Sequence, residues 1–221
     1  MEKYFLGFDD PYFEENYKRA VEFIPDLQKT STQTGIHQSH QNCAFKSITY
    51  KFAVLDADCY LLDNFNLSKL YELTPDYDSV YIFRAVNPVN GLVYGHGGIK
   101  VFDRRLFYNL SGIDMSTSFH GKIKIVKHIT NIHRFNSTPF HAWRTAFREC
   151  VKLSSGVIKN RNSIDDDYRL TQWCEVFNNV KNAEYVKAGA LAGREYGHKG
   201  VDIHLVNNFN WLKEKFNVLE T

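Results

Sequence analysis

Four short apolar runs punctuate the first half of this chain: YFLGF at 4–8, KFAVLD at 51–56, VYIFRAV at 80–86 and GGIKVF at 97–102. Segments of helical spacing lie between and after them. Strands alternating with helices pack in layers, so the expected fold is α/β and Rossmann-like, a mainly parallel sheet flanked by helices. The 221 residues suit one large domain, 1–221, which can bury its core without staples. The four cysteines form no C-x-x-C pair. Cys43 and Cys174 fall in helical patterns and Cys59 directly follows a strand, which points to buried free thiols in a reducing cytosol.

Local signals place the helices. Asp10 can cap a first helix with Pro11 in its first position, and Phe13, Tyr17, Ala20, Val21 and Ile24 recur on one face. Gly35 opens a second helix with Ile36, Cys43 and Ala44 on one side, and a short helix lies near 67–73. Asn87 to Gly91 is a turn by composition, and 111–137, rich in Ser, Thr and Asn, is expected as loop. Thr138-Pro139 starts a helix with Phe140, Trp143, Phe147, Cys150 and Val151 on one face. Further helices follow Ser163 (Leu170, Trp173, Cys174 and Phe177 sharing a face), then at 182–194 and 209–216. No apolar run approaches the ~20 residues of a membrane helix, and MEKYFLGFDD lacks the apolar core of a signal peptide.

The chemistry-bearing motif is Asp56-Ala57-Asp58, an acidic pair where an apolar strand runs out. In open α/β sheets ligands bind at the carboxyl ends of strands. Adjacent carboxylates repel unless a cation joins them, and oxygen-only ligands suit Mg²⁺ or Mn²⁺, which commonly bridge carboxylates and substrate phosphates. Such an ion neutralises a diphosphate leaving group. Gly97 and Gly98, immediately before the fourth strand, let backbone approach a ligand and are placed to line a sugar pocket.

Net charge is only +2, yet no Asp or Glu occurs from Met115 to Arg148, a stretch that holds Lys122, Lys124, Lys127, Arg134, Arg144 and Arg148. Asp56 to Asp78 is the reverse, acidic with Lys69 alone on the other side. The basic stretch suits an anion, with Arg144 the candidate for a substrate phosphate, Trp143 a core residue and Arg148 a partner for a buried acid.

The segments GIHQSH at 35–40, VLDADCYLLDNF at 54–65, NPVNGLVYGHGGIKVF at 87–102, IDMSTS at 113–118, FNSTPFHAWRTAFRECVKL at 135–153 and AGALAGREYG at 188–197 resemble the small glycosyltransferases of tailed bacteriophages. Some of these attach sugars to hydroxymethylcytosine in phage DNA. The resemblance spans nearly the whole chain. It implies a GT-A fold, a UDP-sugar donor, a divalent ion and work in the cytoplasm of an infected bacterial host. It places Asp9 and Asp10 at the nucleotide, with His37 and His40 nearby. It also implies a third metal ligand close to the C-terminus: His198, with Lys199 meeting the diphosphate, or His204, which lies in the strand-like run VDIHLV.

An inverting enzyme needs a carboxylate base within reach of the acceptor hydroxyl. Asp114 and Glu149 are the candidates, and Asp165, Asp166 and Asp167 are further options as a helix start. The resemblance makes hydroxymethylcytosine in double-stranded DNA the leading acceptor, met by Lys122, Lys124 and Lys127, and arabinose the leading sugar. A teichoic acid or a lipopolysaccharide phosphate would suit the same basic stretch. A sugar-phosphate nucleotidylyltransferase is a rival, although FDDPYFEE stands where its Gly-rich basic loop belongs; a non-catalytic DNA-binding or virion protein is another.

Overall fold

The computed structural model describes residues 1–31, 35–108, 122–156, 163–200 and 202–218. They form two compact units, Met1–Asn87 with Val93–Arg134, and Pro88–Leu92 with Phe135–Thr221.

The first unit is built on a seven-stranded sheet in the order β2-β1-β3-β6-β5-β7-β4. Its strands are β1 (Glu2–Gly7), β2 (Gln28–Ser31), β3 (Lys51–Asp56), β4 (Cys59–Leu61), β5 (Ser79–Val86), β6 (Val93–Asp103) and β7 (Lys122–His133). β2, β1 and β3 run parallel, connected through α1 (Phe13–Phe23) and α2 (Ile36–Lys46). β6 is antiparallel to both β3 and β5, β5 is parallel to β7, and β4 closes against β7 antiparallel. The sheet is therefore mixed, not mainly parallel. Only six residues separate β5 from β6, too few for the crossover a parallel pair requires.

Period-two alternation sorts the strand side chains onto two faces. Phe5, Ala53, Leu55, Phe83, Ile99 and Val101 form one core with Ala20 and Ile24 of α1. Tyr4, Leu6, Phe52, Val54, Val80 and Phe102 form the other with Cys43 and Ala44 of α2. Thus α1 and α2 cover opposite faces, as right-handed crossovers to opposite sides of β1 demand.

Several local expectations are corrected. Residues 122–133 are strand, not loop. α1 starts at Phe13, because Asp10 folds into a tight turn, its Oδ1 accepting from the Tyr12 N–H at 2.8 Å, which leaves Pro11 outside the helix. β6 begins at Val93, so Gly97 and Gly98 lie inside it; a bulge opposite Ile82–Arg84 takes up the φ of 79° at Gly97. His204 lies in a 3-10 turn, Ile203–Asn207, because the Asp202 side chain accepts from its N–H at 2.8 Å and caps a helical start. The VDIHLV strand expectation fails to that cap.

The second unit is helical: α4 (Pro139–Ser154), α5 (Ser163–Glu175), α6 (Ala183–His198) and α7 (Phe209–Asn217), with α3 (Ser68–Glu72) remaining in the first unit. Thr138 caps α4 as expected, its hydroxyl accepting from the His141 N–H at 3.2 Å. Trp143, Phe147, Val151, Ile203, Val206, Leu212 and Phe216 make its core. α5 ends at Glu175, so Trp173 and Cys174 are buried on it while Phe177 lies beyond. All four cysteines are free and buried. Among the described residues no helix is long and apolar enough to cross a membrane.

Candidate active site

β1 connects to β2 on one side, and the chain then returns past β1 to β3 on the other. The carboxyl ends of β1 and β3 therefore form a topological switch point, the place where open α/β sheets bind ligands. Two predicted segments meet there. Leu6 pairs with Asp56, so the Asp9-Asp10 turn after β1 stands beside the Asp56-Ala57-Asp58 turn after β3. The juncture is tight, for a Cβ on Gly7 would stand 2.4 Å from the Ala57 Cβ and 2.6 Å from the Phe13 ring. Gly7 is a positioning residue that the motif reading passed over.

Backbone bonds fix the acidic turn. Ala57 N–H donates to Leu6 O at 2.8 Å, Asn16 Nδ2 donates to Ala57 O at 2.7 Å, and Arg134 N–H donates to Asp58 O at 2.7 Å. Asn16 is wholly buried to do this. The Arg134 guanidinium reaches Glu15 at 2.6 Å and Asn16 Oδ1 at 3.0 Å, and it lies 3.9 Å from the centre of the Tyr12 ring. Loop and turn are thus one braced assembly.

Each carboxylate has its own partner. Lys100 Nζ donates to both oxygens of Asp56, at 2.9 and 2.8 Å. His133 Nε2 lies 3.0 Å from Asp58 Oδ2, and its Nδ1 lies 3.0 Å from the Tyr94 hydroxyl. The His133 ring thus bridges the Tyr94 hydroxyl and the Asp58 carboxylate. Tyr94, His133 and Lys100 are all buried, whereas the side chains of Asp56 and Asp58 keep 25% and 28% exposure. The two acids are the groups still open to a ligand. Tyr94 and Lys100 lie in the segment 87–102 that carries the resemblance, but neither they nor His133 stood among the candidate site residues.

Burial and the neighbouring Asp58 push the Asp56 carboxyl up to about 6, against the pull of Lys100. Between the ordinary carboxylate range and that value, the folded chain holds a proton that the unfolded chain has released. The contribution of Asp56 to stability accordingly falls as pH rises through this window. Asp58→Asn removes the repulsion, and urea melts across the window should show a shallower fall than in the wild type. An unchanged slope would mean that Asp58 does not act on Asp56.

The other predicted residues are placed as follows. His37 stands in the first turn of α2 with its Nδ1 buried and lacking a hydrogen-bond partner. His40 is a core residue: its Nδ1 lies 2.8 Å from Ile36 O, and its ring packs on Phe102 and Phe107. Gly98 is buried, and continuing the β3–β6 register by one residue sets it opposite Asp56. Lys122 and Lys124 lie on β7, where they pair with Asp78 and Asp76 at 3.5 and 3.7 Å; Lys127 is exposed. The basic stretch is acid-free along the chain but not in space, because parallel pairing of β7 with β5 brings the acidic stretch alongside.

Glu149, Arg144, His198 and Lys199 all belong to the second unit. Glu149 is ion-paired to the buried Arg169, whose other arm is 3.9 Å from Asp166. Arg144 lies over the Phe209 ring at 5.4 Å. Arg148 donates to Val206 O at 2.8 Å and Asn207 Oδ1 at 2.7 Å. His198 is the exposed last residue of α6, and Lys199 pairs with Glu195 at 2.6 Å. Asp114 lies outside the described residues. Among the described residues, no group of three His, Cys, Asp or Glu side chains is set to hold a metal. The acidic turn fits a hard cation by its chemistry, as two exposed carboxylates, but supplies at most two of the six or more oxygens such an ion takes.

No family model and no curated protein matches the chain. Similar solved structures include a mannosyltransferase from Pyrobaculum calidifontis in complex with GDP-Man and Mn²⁺, at 11% identity over 99% of this chain and 80% of that one, with a TM-score of 0.49. TarS 1–349 from S. aureus in complex with UDP-GlcNAc is similar at 11% identity over 100% and 91%, with a TM-score of 0.39. HddC from Yersinia pseudotuberculosis complexed with GMP-PN is similar at 15% identity over 59% and 91%, with a TM-score of 0.36.

Proposed function

We propose that the chain is a nucleotide-sugar-dependent glycosyltransferase whose donor diphosphate is handled at the Asp56–Asp58 turn. The carrying observation is the pair of partly exposed carboxylates at the switch point between β1 and β3. Asp9 and Asp10 then face the nucleotide from the adjoining turn, with His37 near it, and Gly97 and Gly98 line the sugar side. Asp56 and Asp58, with His198 or His204 as a third protein ligand, would hold a Mn²⁺ or Mg²⁺ ion, which would supply neutralisation of the diphosphate.

The protein's own part is positional. His133 holds the Asp58 carboxylate in one orientation, and Arg134 with Asn16 holds the turn that carries it. In the transfer, the bond from the sugar anomeric carbon to the diphosphate oxygen breaks and a bond to the acceptor oxygen forms. The acceptor proton passes to a carboxylate, Glu149 or Asp114.

The preferred donor is a UDP-sugar, with arabinose the leading sugar. The preferred acceptor is hydroxymethylcytosine in double-stranded DNA, contacted by Lys122, Lys124, Lys127 and Arg144. These finer assignments rest on the resemblance to phage enzymes, as does the setting, the cytoplasm of an infected host. All 221 residues would act as one transferase domain.

The test is UDP release across a panel of UDP-sugars, with Mn²⁺ or Mg²⁺, in the presence of hydroxymethylcytosine DNA or plain cytosine DNA. Stimulation by the modified DNA alone supports donor and acceptor together. Metal-dependent release indifferent to DNA keeps the transferase and removes the acceptor, and no release from any nucleotide-sugar rejects the reading.

A further inference from the structure

We infer that the uncovered side of β5 and β6 holds an anion subsite, in which the Arg84 guanidinium takes a phosphodiester of the acceptor. This subsite deepens the reading above and rests on it for the existence of an acceptor.

α2 covers only part of its side of the sheet. Its Cys43 and Ala44 pack with Val54, Val80 and Phe102, at the amino end of β5. Further along β5 that side is open. Ile82 stands opposite Lys100 and Arg84 opposite Gly95; both are only partly buried, and Val93 and Ile125 are 37% and 53% exposed. The reverse side at the same level is closed, with Phe83, Ala85 and Tyr94 buried. Alternation therefore sends Arg84 out on the side that α2 leaves uncovered.

β6 offers no side chain next to it. A Cβ on Gly95 would meet Ile125 Cδ1 at 3.1 Å, which fixes its direction as the open side, and a Cβ on Gly97 would find one neighbour, Ile82 Cγ2 at 3.7 Å. The surface is thus a floor of bare backbone with an aliphatic border and a single cation at its edge.

That cation is unmatched within the protein. The Arg84 main chain is engaged, pairing with Gly95 and Ile129 and accepting from the Thr130 hydroxyl at 3.3 Å. Its side chain makes no ion pair, hydrogen bond or ring contact among the described residues. A guanidinium drawn partly out of water without a partner is costly, and its planar donor fork matches two oxygens of a phosphate. Aliphatic neighbours lower the local dielectric and strengthen such a contact. Only β6 separates β5 from β3, so Arg84 stands about 10 Å across the sheet from the acidic turn, two strand spacings. A phosphodiester held there leaves room for a sugar over Gly97 between the two.

The test is fluorescence anisotropy of the full chain with a labelled hydroxymethylcytosine duplex and, in a parallel arm, a labelled polyol-phosphate chain, each across a salt series without donor or metal. For the probe that the wild type binds, Arg84→Gln should weaken affinity about tenfold and lower the slope of log affinity on log salt by about one. Lys18→Gln removes an exposed charge from α1, over the opposite face, and should change affinity by less than about twofold. UDP binding with Mn²⁺, read by calorimetry, should be the same in Arg84→Gln as in the wild type. Should that variant fail to fold by circular dichroism, Arg84→Met, matched to the aliphatic border, takes its place. Unchanged affinity and slope in a folded variant would overturn the inference. So would loss of UDP binding in place of phosphodiester binding, or a wild type that binds neither probe. No sugar is transferred in these measurements, so failure of the subsite and failure of UDP release are separate results.

Discussion

Gly193→Leu should leave the second unit unable to fold, and Gly193→Ala alone should lower stability by about 2 kcal/mol or more. On α6, Gly189, Gly193 and Gly197 recur every four residues and face α4. A Cβ on Gly193 would stand 2.3 Å from the Phe147 carbonyl oxygen and 2.9 Å from its Cα. Alanine favours a helix over glycine by about 1 kcal/mol, so on an exposed face the exchange would stabilise. Here the obstacle is backbone, which cannot rotate aside. α4 cannot retreat either, because Trp143, Phe147 and Val151 anchor it in the core of the unit. Overpacking therefore outweighs propensity.

The same geometry ranks the neighbours. Gly189 meets the Trp143 carbonyl oxygen at 2.3 Å and should behave like Gly193. At Gly197 the first obstacle, at 2.1 Å, is the Ser154 hydroxyl, a side chain able to turn away, with Val151 O next at 2.9 Å. Gly197→Ala should cost the least. All three tryptophans, Trp143, Trp173 and Trp211, lie in the second unit, so fluorescence-monitored urea melts report on it directly. Wild-type stability in Gly193→Ala would show that the two helices can separate at no cost.

That helix contact illustrates what the sequence made legible and what it did not. Gly189, Gly193 and Gly197 are visible as a repeat, but a four-residue glycine spacing does not say which helix approaches or how closely. β1 and β3 were legible because their buried residues on both faces produce continuous apolar runs. β7 was not: Ile123 and Ile125 are half exposed, so its alternation of Lys and Ile marks no core, and its polar composition matches a loop. β2 and β4 have four and three residues, too short to show a period.

The acidic turn could be found because strand followed by acid is a local pattern. Its partners could not. Lys100 lies 44 residues from Asp56, and His133 lies 75 from Asp58; pairing across the sheet brings them together. The charge pattern misled for the same reason. An acid-free stretch describes the chain, while the field at Lys122 and Lys124 depends on Asp76 and Asp78 of the segment leading into and beginning beside β5.

Asp58→Asn should lower donor turnover by about 10²–10³-fold, a loss of ~3–4 kcal/mol in transition-state stabilisation, with the fold retained. Asp58 keeps 28% exposure, and its backbone carbonyl, which accepts from Arg134 N–H, survives the change. The side-chain amide still fits beside His133, but it offers no negative charge to a divalent ion and no anionic partner for the His133 ring. His133→Gln tests the layer behind it. Glutamine can still donate to Asp58 but does not reproduce the Tyr94–His133–Asp58 chain, so the expected loss is smaller, about 10–100-fold, and should fall on metal affinity more than on turnover at saturating metal. A role confined to packing would instead lower stability and leave the metal titration unmoved. The two variants combined should lose little more than Asp58→Asn alone, because residues acting through one another are not additive. Fully additive losses would mean that His133 serves something other than Asp58, and turnover unaffected by Asp58→Asn would remove the acidic turn from the chemistry altogether.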